Sequence, residues 1–594
     1  MNAFKNIFRL GPIPFVLDLA VSLFADPLPD GSVRYEPVME PDPLADPCAV
    51  PGGRIRVFSG DTPKSLNYLL DNNSFSAQVF GLMYESLLSG TSLSPDHAPG
   101  LARAWTVSAD GRTFTFEIDP AAQWSDGAPV TAEDVCWTFQ SIVAPGSLAG
   151  AFKMELETFE APVAINERTV RVTAKETHWR NLGAFGGLPI LPKHVFATND
   201  FNKIHFEFPV VSGPYRLGTL RENISLEMVR RPDWWAASRP QNLHTLNFDV
   251  IDFRFFAERE NAFEAFRKGE IDIFPIYTAR IWAQEITGER FDKNWIVRQA
   301  VHNHSPIGFQ GFAMNLRRAP YDDVRVRRAL AHLLDRPALN RTLMFNQYFL
   351  HKSYYEDLYD ADHPCENPEY AYDPVEAARL LDEAGWAPDL KTGLRSKNGV
   401  PLVVRFLTHD SMTDRFLAVY REALRKAGVG LEVERKDVAA WFRDMDAYNF
   451  DMTWAAWGAG LYKDPESLWS SKEADRPSGN NITGFGDPRV DALIDAQRAE
   501  FDVGKRHEFC RQVDRILAEA CPYVLLWNAD STRLLYWNRF GVPPTVLSKY
   551  GREDGALSYW WFDPDSDADL ADAMATGRSL PRRPADVRFD DVFR

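Results

Sequence analysis

The chain has 594 residues, a net charge of −17, 45% hydrophobic and 25% charged residues. One hydrophobic core rarely grows past about 250–300 residues, so two or three domains are expected. The acidic balance and the lack of a Lys/Arg cluster exclude a phosphate-backbone binder, which needs concentrated positive charge to release counterions, so no nucleic-acid partner is expected.

Lys5 and Arg9 precede an apolar run over residues 10–25, the layout of a secretory signal peptide, although Asp18 and Leu23 depart from it. Residues 26–52 are rich in Pro and Asp and read as a linker. The folded part is expected from residue 53, where 53–57 alternates as a short strand. Residues 112–118 (RTFTFEI) alternate with period two behind Asp110-Gly111, a hairpin signal. Thr131 with Asp134 three residues on reads as a capping box. Residues 321–335 read as one amphipathic helix with Val326, Ala329, Leu330, Leu333 and Leu334 on its buried face and Arg325, Arg327 and Arg328 elsewhere. Asp373-Pro374-Val375-Glu376 opens a further helix that Gly385 stops. Helices are also expected after Pro488 and around Phe509–Leu517, then a buried strand over 523–527. Residues 563–594, again rich in Pro, Asp and Arg, read as a mobile tail. The class is α/β with a large helical share.

The five cysteines (Cys48, Cys136, Cys365, Cys510 and Cys521) show no C-x-x-C spacing, which removes support for a zinc ribbon or a thioredoxin-like site. Pairing of Cys510 with Cys521 stays open. There is no G-x-S-x-G elbow, and Gly504-Lys505 is followed by Arg506, so no phosphate-binding loop forms there. His302 and His304 have the spacing of two ligands on a strand but no third partner nearby, which favours a surface role. The balance tilts toward a binding protein without cofactor or metal. Aromatic residues make up 13% of the chain, with 17 Trp, which suits either large cores or a ring-lined ligand cleft.

One ordered series is more specific. Ala102-Arg103-Ala104-Trp105, Ser108 to Gly111, Phe114-Thr115-Phe116, Trp124-Ser125-Asp126-Gly127 and Val130 to Val135 resemble the hallmark of the family 5 solute-binding proteins, the dipeptide/oligopeptide-binding group. Asp119 stands where that family usually has a basic residue. Val211-Ser212-Gly213-Pro214-Tyr215, Gly269-Glu270-Ile271-Asp272, and the run from Tyr321 to Leu330 with Asp335 fit the family's later motifs in order. Segments 312–348 and 514–540 are most similar to the YejA-like branch, whose members are associated with peptide uptake.

The resemblance implies an α/β periplasmic-binding-protein-like fold of two lobes (class II, cluster C) with an additional domain in the first lobe. Lobe I would comprise 53–91, 206–305 and 525–562, the extra domain 92–205, and lobe II 306–524. It implies a periplasmic, monomeric subunit of an ABC importer that captures a peptide between its lobes and passes it to permease and ATPase subunits. The family's amine-binding Asp sits in the segment 450–469, where this chain aligns Leu461, with Asp464 three positions on. That departure keeps an oligosaccharide or opine-like ligand open on the same fold. A secreted hydrolase and a signalling receptor are the readings from other classes. The expected ligand contacts are Asn73 and Phe75 in lobe I, and Trp454, Trp457, Tyr462, Asp464, Trp469 and Asn481 in lobe II.

Overall fold

The computed structural model describes residues 25–60 and 62–593, so all but Ala25 of the candidate signal segment lies outside the described residues. Three sheets organise the chain. The largest has eight strands, in the order Tyr215–Arg221, Ser225–Arg230, Val250–Phe255, Arg54–Ser59, Ile273–Pro275, Thr532–Trp537, Ile296–His302 and Asp586–Arg588. A five-stranded sheet runs Gly430–Arg435, Val403–Thr408, Met452–Trp457, Phe309–Met314 and Tyr523–Leu525. A six-stranded sheet contains Ala102–Val107 and Thr113–Ile118 at its centre.

Local chemistry explains these elements. In Thr113–Ile118 the alternate residues Phe114, Phe116 and Ile118 are buried, as a half-buried strand requires. Gly111 takes φ +67° at the hairpin corner, a conformation glycine adopts without steric cost. Trp105 and Trp124 are core residues, and Trp105 stacks on Tyr35 at 5.6 Å. Asp134 accepts the Thr131 N–H at 2.8 Å and so ties down the start of helix Ala132–Val143. Asp373 accepts from the Val375 and Glu376 N–H groups, both at 3.0 Å, at the start of helix Pro374–Glu383, and Gly385 follows at φ +84°.

Four expectations change. The single helix over 321–335 is two helices, Val324–His332 capped by Asp323 and Arg336–Leu343 capped by Asp335, because each Asp takes the N–H groups of the turn after it. Arg327 is buried rather than outward: its guanidinium donates to Tyr321 O and Ala520 O, while Arg328 donates to Glu519 O. These cations meet the carbonyl end of helix Val503–Ala520, where the helix dipole favours positive charge. Cys510 and Cys521 are separate buried thiols. They sit on that helix and its cap, and eleven residues at about 1.5 Å rise put them roughly 16 Å apart, too far for a disulfide.

The fourth change concerns both ends. The expected linker contributes Val33–Tyr35, paired antiparallel with Ala102–Val107, and buries Leu44 and Ala49. The expected tail forms helix Pro564–Thr576 and strand Asp586–Arg588, which pairs parallel with Ile296–His302. Leu570, Ala573 and Leu580 pack in one cluster with Phe266 and Trp537. Each segment is too polar to build a core alone, but each lends a few apolar groups to a core that already exists. Replacing Leu570, 1% exposed, by Ala should therefore cost about 2–4 kcal/mol through lost burial and the cavity left behind. A thermal melt of the Leu570→Ala variant reads this; a midpoint equal to the parent's would show that the tail does not dock.

Candidate ligand-binding cleft

The chain passes between the eight- and five-stranded sheets twice. Ile296–His302 leads through 303–308 into Phe309–Met314, and Tyr523–Leu525 leads through 526–531 into Thr532–Trp537. Two adjacent connections of this kind leave a cleft between the sheets. Its walls are the ends of strands from both.

On the five-stranded side, a cavity of 650 Å³ opens where Val403–Thr408 and Met452–Trp457 end. These two strands run parallel, and the carboxyl ends of parallel strands are where open α/β sheets bind ligands. Trp441, Phe442, Trp454 and Trp457 line it together with His409 and Asp410. Trp454 donates its Nε1 hydrogen to Gln310 Oε1 at 2.9 Å, and Trp457 donates to the Tyr523 hydroxyl at 3.0 Å. Both indoles are thereby held by one polar edge while ring surface faces the cavity. Gly458 and Ala459 continue from Trp457 into a second cavity of 610 Å³, whose opposite wall is Phe58, Phe75, Arg259, Tyr277 and Glu553 of the eight-stranded side.

The residues expected to touch ligand divide accordingly. Trp454, Trp457 and Phe75 line the cleft, and Phe75 is also packed edge-on against Phe253 and Phe255. Asn73 is a helix cap: its side chain accepts the Ser76 N–H at 2.8 Å. Trp469 is 1% exposed and ringed by Phe309, Tyr354, Phe485 and Tyr523, so it is core. Asn481 is also 1% exposed, and it bridges Ser470 O and Phe485 O within its own loop. Both are thereby corrected from ligand contacts to scaffold. Missed from the sequence were His409, Asp410, Trp441 and Phe442, and on the other wall Arg259, Tyr277 and Glu553. The position of His409-Asp410 directly after an apolar strand, residues 403–408, was the available signal.

Tyr462 and Asp464 lie elsewhere, on a rim where the six-stranded domain meets the five-stranded side. The Tyr462 hydroxyl donates to Pro95 O, and its ring packs with His97 and Trp179 at 6.0 and 5.9 Å. Asp464 accepts from Arg180 Nη1 at 3.0 Å. Trp179 donates its backbone N–H to Arg498 O and its indole N–H to Gln497 Oε1, both at 3.0 Å. Glu466 pairs with Arg498 and faces His178. His178, with the guanidinium groups of Arg498 and Arg180, holds the Glu466 carboxyl down to about 2. His178, Asp464 and Glu466 bring ligand-type atoms within 4.8 Å of one another, but both carboxylates already carry guanidinium partners, which compete with any cation.

Comparison with known proteins fits this geometry. The profile of the bacterial extracellular solute-binding proteins, family 5, matches residues 97–479. YejA of Escherichia coli (strain K12), itself described as uncharacterized, is 26% identical over 583 residues, covering 92% of this chain and 95% of its own. The peptidoglycan-binding protein YepA of Agrobacterium fabrum is 28% identical over 618 residues, covering 94% and 99%. Among solved structures, the oligopeptide-binding protein AppA of Bacillus subtilis, in complex with a nonapeptide, superposes with a TM-score of 0.66 at 18% identity, over 86% of this chain and 99% of its own. The α/β two-lobed fold and the YejA-like branch expected from the sequence are borne out. The chain belongs to the bacterial extracellular solute-binding proteins, family 5.

Proposed function

We propose that this protein is the periplasmic, monomeric ligand-capturing subunit of an ABC importer and that its solute is a peptide. It would deliver the peptide to permease and ATPase subunits and break no bond. The observation that carries this reading is the continuity of the cleft. The aromatic cavity around Trp454 and Trp457 runs through Gly458 and Ala459 onto the charged wall of Arg259 and Glu553. A peptide offers apolar side chains to the first and charged groups to the second. Two relatives support it: AppA was solved with a nonapeptide, and a YejA of Agrobacterium fabrum is described as a probable peptide-binding protein. Lobe I is proposed as 53–91, 206–305, 526–562 and the docked residues 563–593. The extra domain is 92–205 together with the strands before residue 36, and lobe II is 306–525.

A ligand that binds the folded cleft raises the melting point by mass action, by about 2.7 kcal/mol of stability at a hundredfold excess over Kd. A peptide library should therefore shift the melt of the purified protein, and Trp457→Ala should abolish most of the shift. A response to glycans alone would sink the peptide reading and favour the sugar alternative. Release of altered ligand would show an enzyme instead.

The rim gives a pH dependence. The folded-state pKa of Glu466 is depressed from 4.5, so its contribution is complete above about pH 4.5 and fades as pH falls toward 2. Glu466→Gln should cost about 1 kcal/mol at pH 7, and melts of the two proteins should converge between pH 4.5 and 2. A gap that stayed constant over that window would show that the carboxylate charge is not what holds the rim.

A further inference from the structure

A smaller chamber of 290 Å³ sits between the two crossings, bounded by Tyr277, Gln310, Tyr348, Arg533, Arg552 and Glu553. It shares Tyr277, Arg552 and Glu553 with the main cleft, so it is the cleft's inner end. Its charged side chains are unusual. Arg533 is 5% exposed. Its guanidinium donates to Gln347 O and lies 5.0 Å over the Tyr348 ring, but no carboxylate pairs with it among the described residues. Its Nη1 is buried without a hydrogen-bond partner. Glu553 accepts from the Tyr277 hydroxyl through Oε1, while its Oε2 is likewise buried and unpartnered. The two do not pair with each other. Arg552 is occupied by Ser305 Oγ and Pro306 O, and Asp530 faces His302.

A buried charge missing a hydrogen bond is costly unless something completes it. Two of opposite sign on one small chamber, with Arg552 and Asp530 balancing them, suit a group that is itself neutral overall and carries both charges. The volume, at the small end for ligand sites, holds one amino-acid unit rather than a chain of them. We propose that this chamber takes an α-amino-acid head: a carboxylate completes Arg533, and an ammonium on the same carbon completes Glu553, each side chain turning toward the chamber as the ligand enters. The rest of the ligand would extend along the cleft toward Trp457. This rests on the peptide reading and sharpens it. An ordinary α-linked peptide has no residue bearing both free groups, so the favoured ligand joins its terminal residue through the side chain, or is a free amino acid.

Calorimetry on the full chain tests this with four probes: γ-glutamyl-alanine, which carries the free head, α-glutamyl-alanine, N-acetyl-γ-glutamyl-alanine and free glutamate. The γ-linked dipeptide should bind at least about tenfold tighter than either dipeptide lacking one of the two groups, as one charge-assisted hydrogen bond accounts for. Glu553→Gln should erase the penalty of N-acetylation. Arg533→Gln should erase the preference over the α-linked isomer, and Arg533→Lys should restore part of it, with melts confirming that each variant folds. Glutamate binding as tightly as the γ-dipeptide would assign the head to a free amino acid, and weaker binding to a longer ligand. If α-linked peptides bind as well as γ-linked ones, or if discrimination survives in both variants, the head site is wrong while the peptide reading stands. If neither a peptide nor glutamate binds, both fall.

Discussion

Everything that can move or bind here depends on how little covalent structure joins the two lobes. Two short connections, 303–308 and 526–531, carry the chain between the eight- and five-stranded sheets. They are pinned where they enter the second sheet. A side chain at Gly308 would place its Cβ 2.0 Å from Trp457 O, so only glycine lets that backbone lie against the strand that carries the aromatic cavity. Gln310 reinforces the same corner, accepting from Trp454 and donating to Trp527 O. The hinge and the cavity-lining indoles are thus one packed unit, and a change in hinge geometry displaces the rings directly.

Across the cleft from this corner, the rim is built differently. Arg180, Asp464, Glu466 and Arg498 have side chains 22–44% exposed, and ion pairs in that setting contribute little individually. Such contacts are suited to closing and opening, because neither state is far below the other. A ligand need supply only its differential affinity for the closed form to tip the balance. At the inner end, by contrast, Arg533 is buried, and a contact completed there gains the most per hydrogen bond. The cleft therefore grades from weak, reversible closure at its mouth to strong polar demand at its base.

The sequence disclosed the parts whose cause is local. Asp110-Gly111, Thr131 with Asp134, and Asp373 before Pro374 each act within four residues, and each forms as expected. Trp454 and Trp457, expected from the sequence as ligand contacts, line the larger aromatic cavity, although Trp454 also packs against Phe312, Phe416 and Trp527. The same reasoning failed at Trp469, whose cover comes from Phe309, Tyr354 and Tyr523, up to some 160 residues away in the chain. Asn481 was expected to contact ligand and is instead the internal brace of its loop. The two terminal segments were illegible for a further reason: three-residue strands such as Val33–Tyr35 and Asp586–Arg588 are too short to show a period, and a sheet edge formed elsewhere supplies their order.

The family hallmark over residues 105–135 acquires a structural meaning from this. Trp105, Phe114, Phe116, Trp124 and Val135 are all buried in the core shared by the six- and eight-stranded sheets, and none of them lines the cleft cavities. What that rigid core does is carry a platform: the turn with His178, Trp179 and Arg180, and the loop with Pro95 and His97, meet Tyr462 through Glu466 of the second lobe. The hallmark thus bears on the rim contacts and not on the residues that line the cleft cavities.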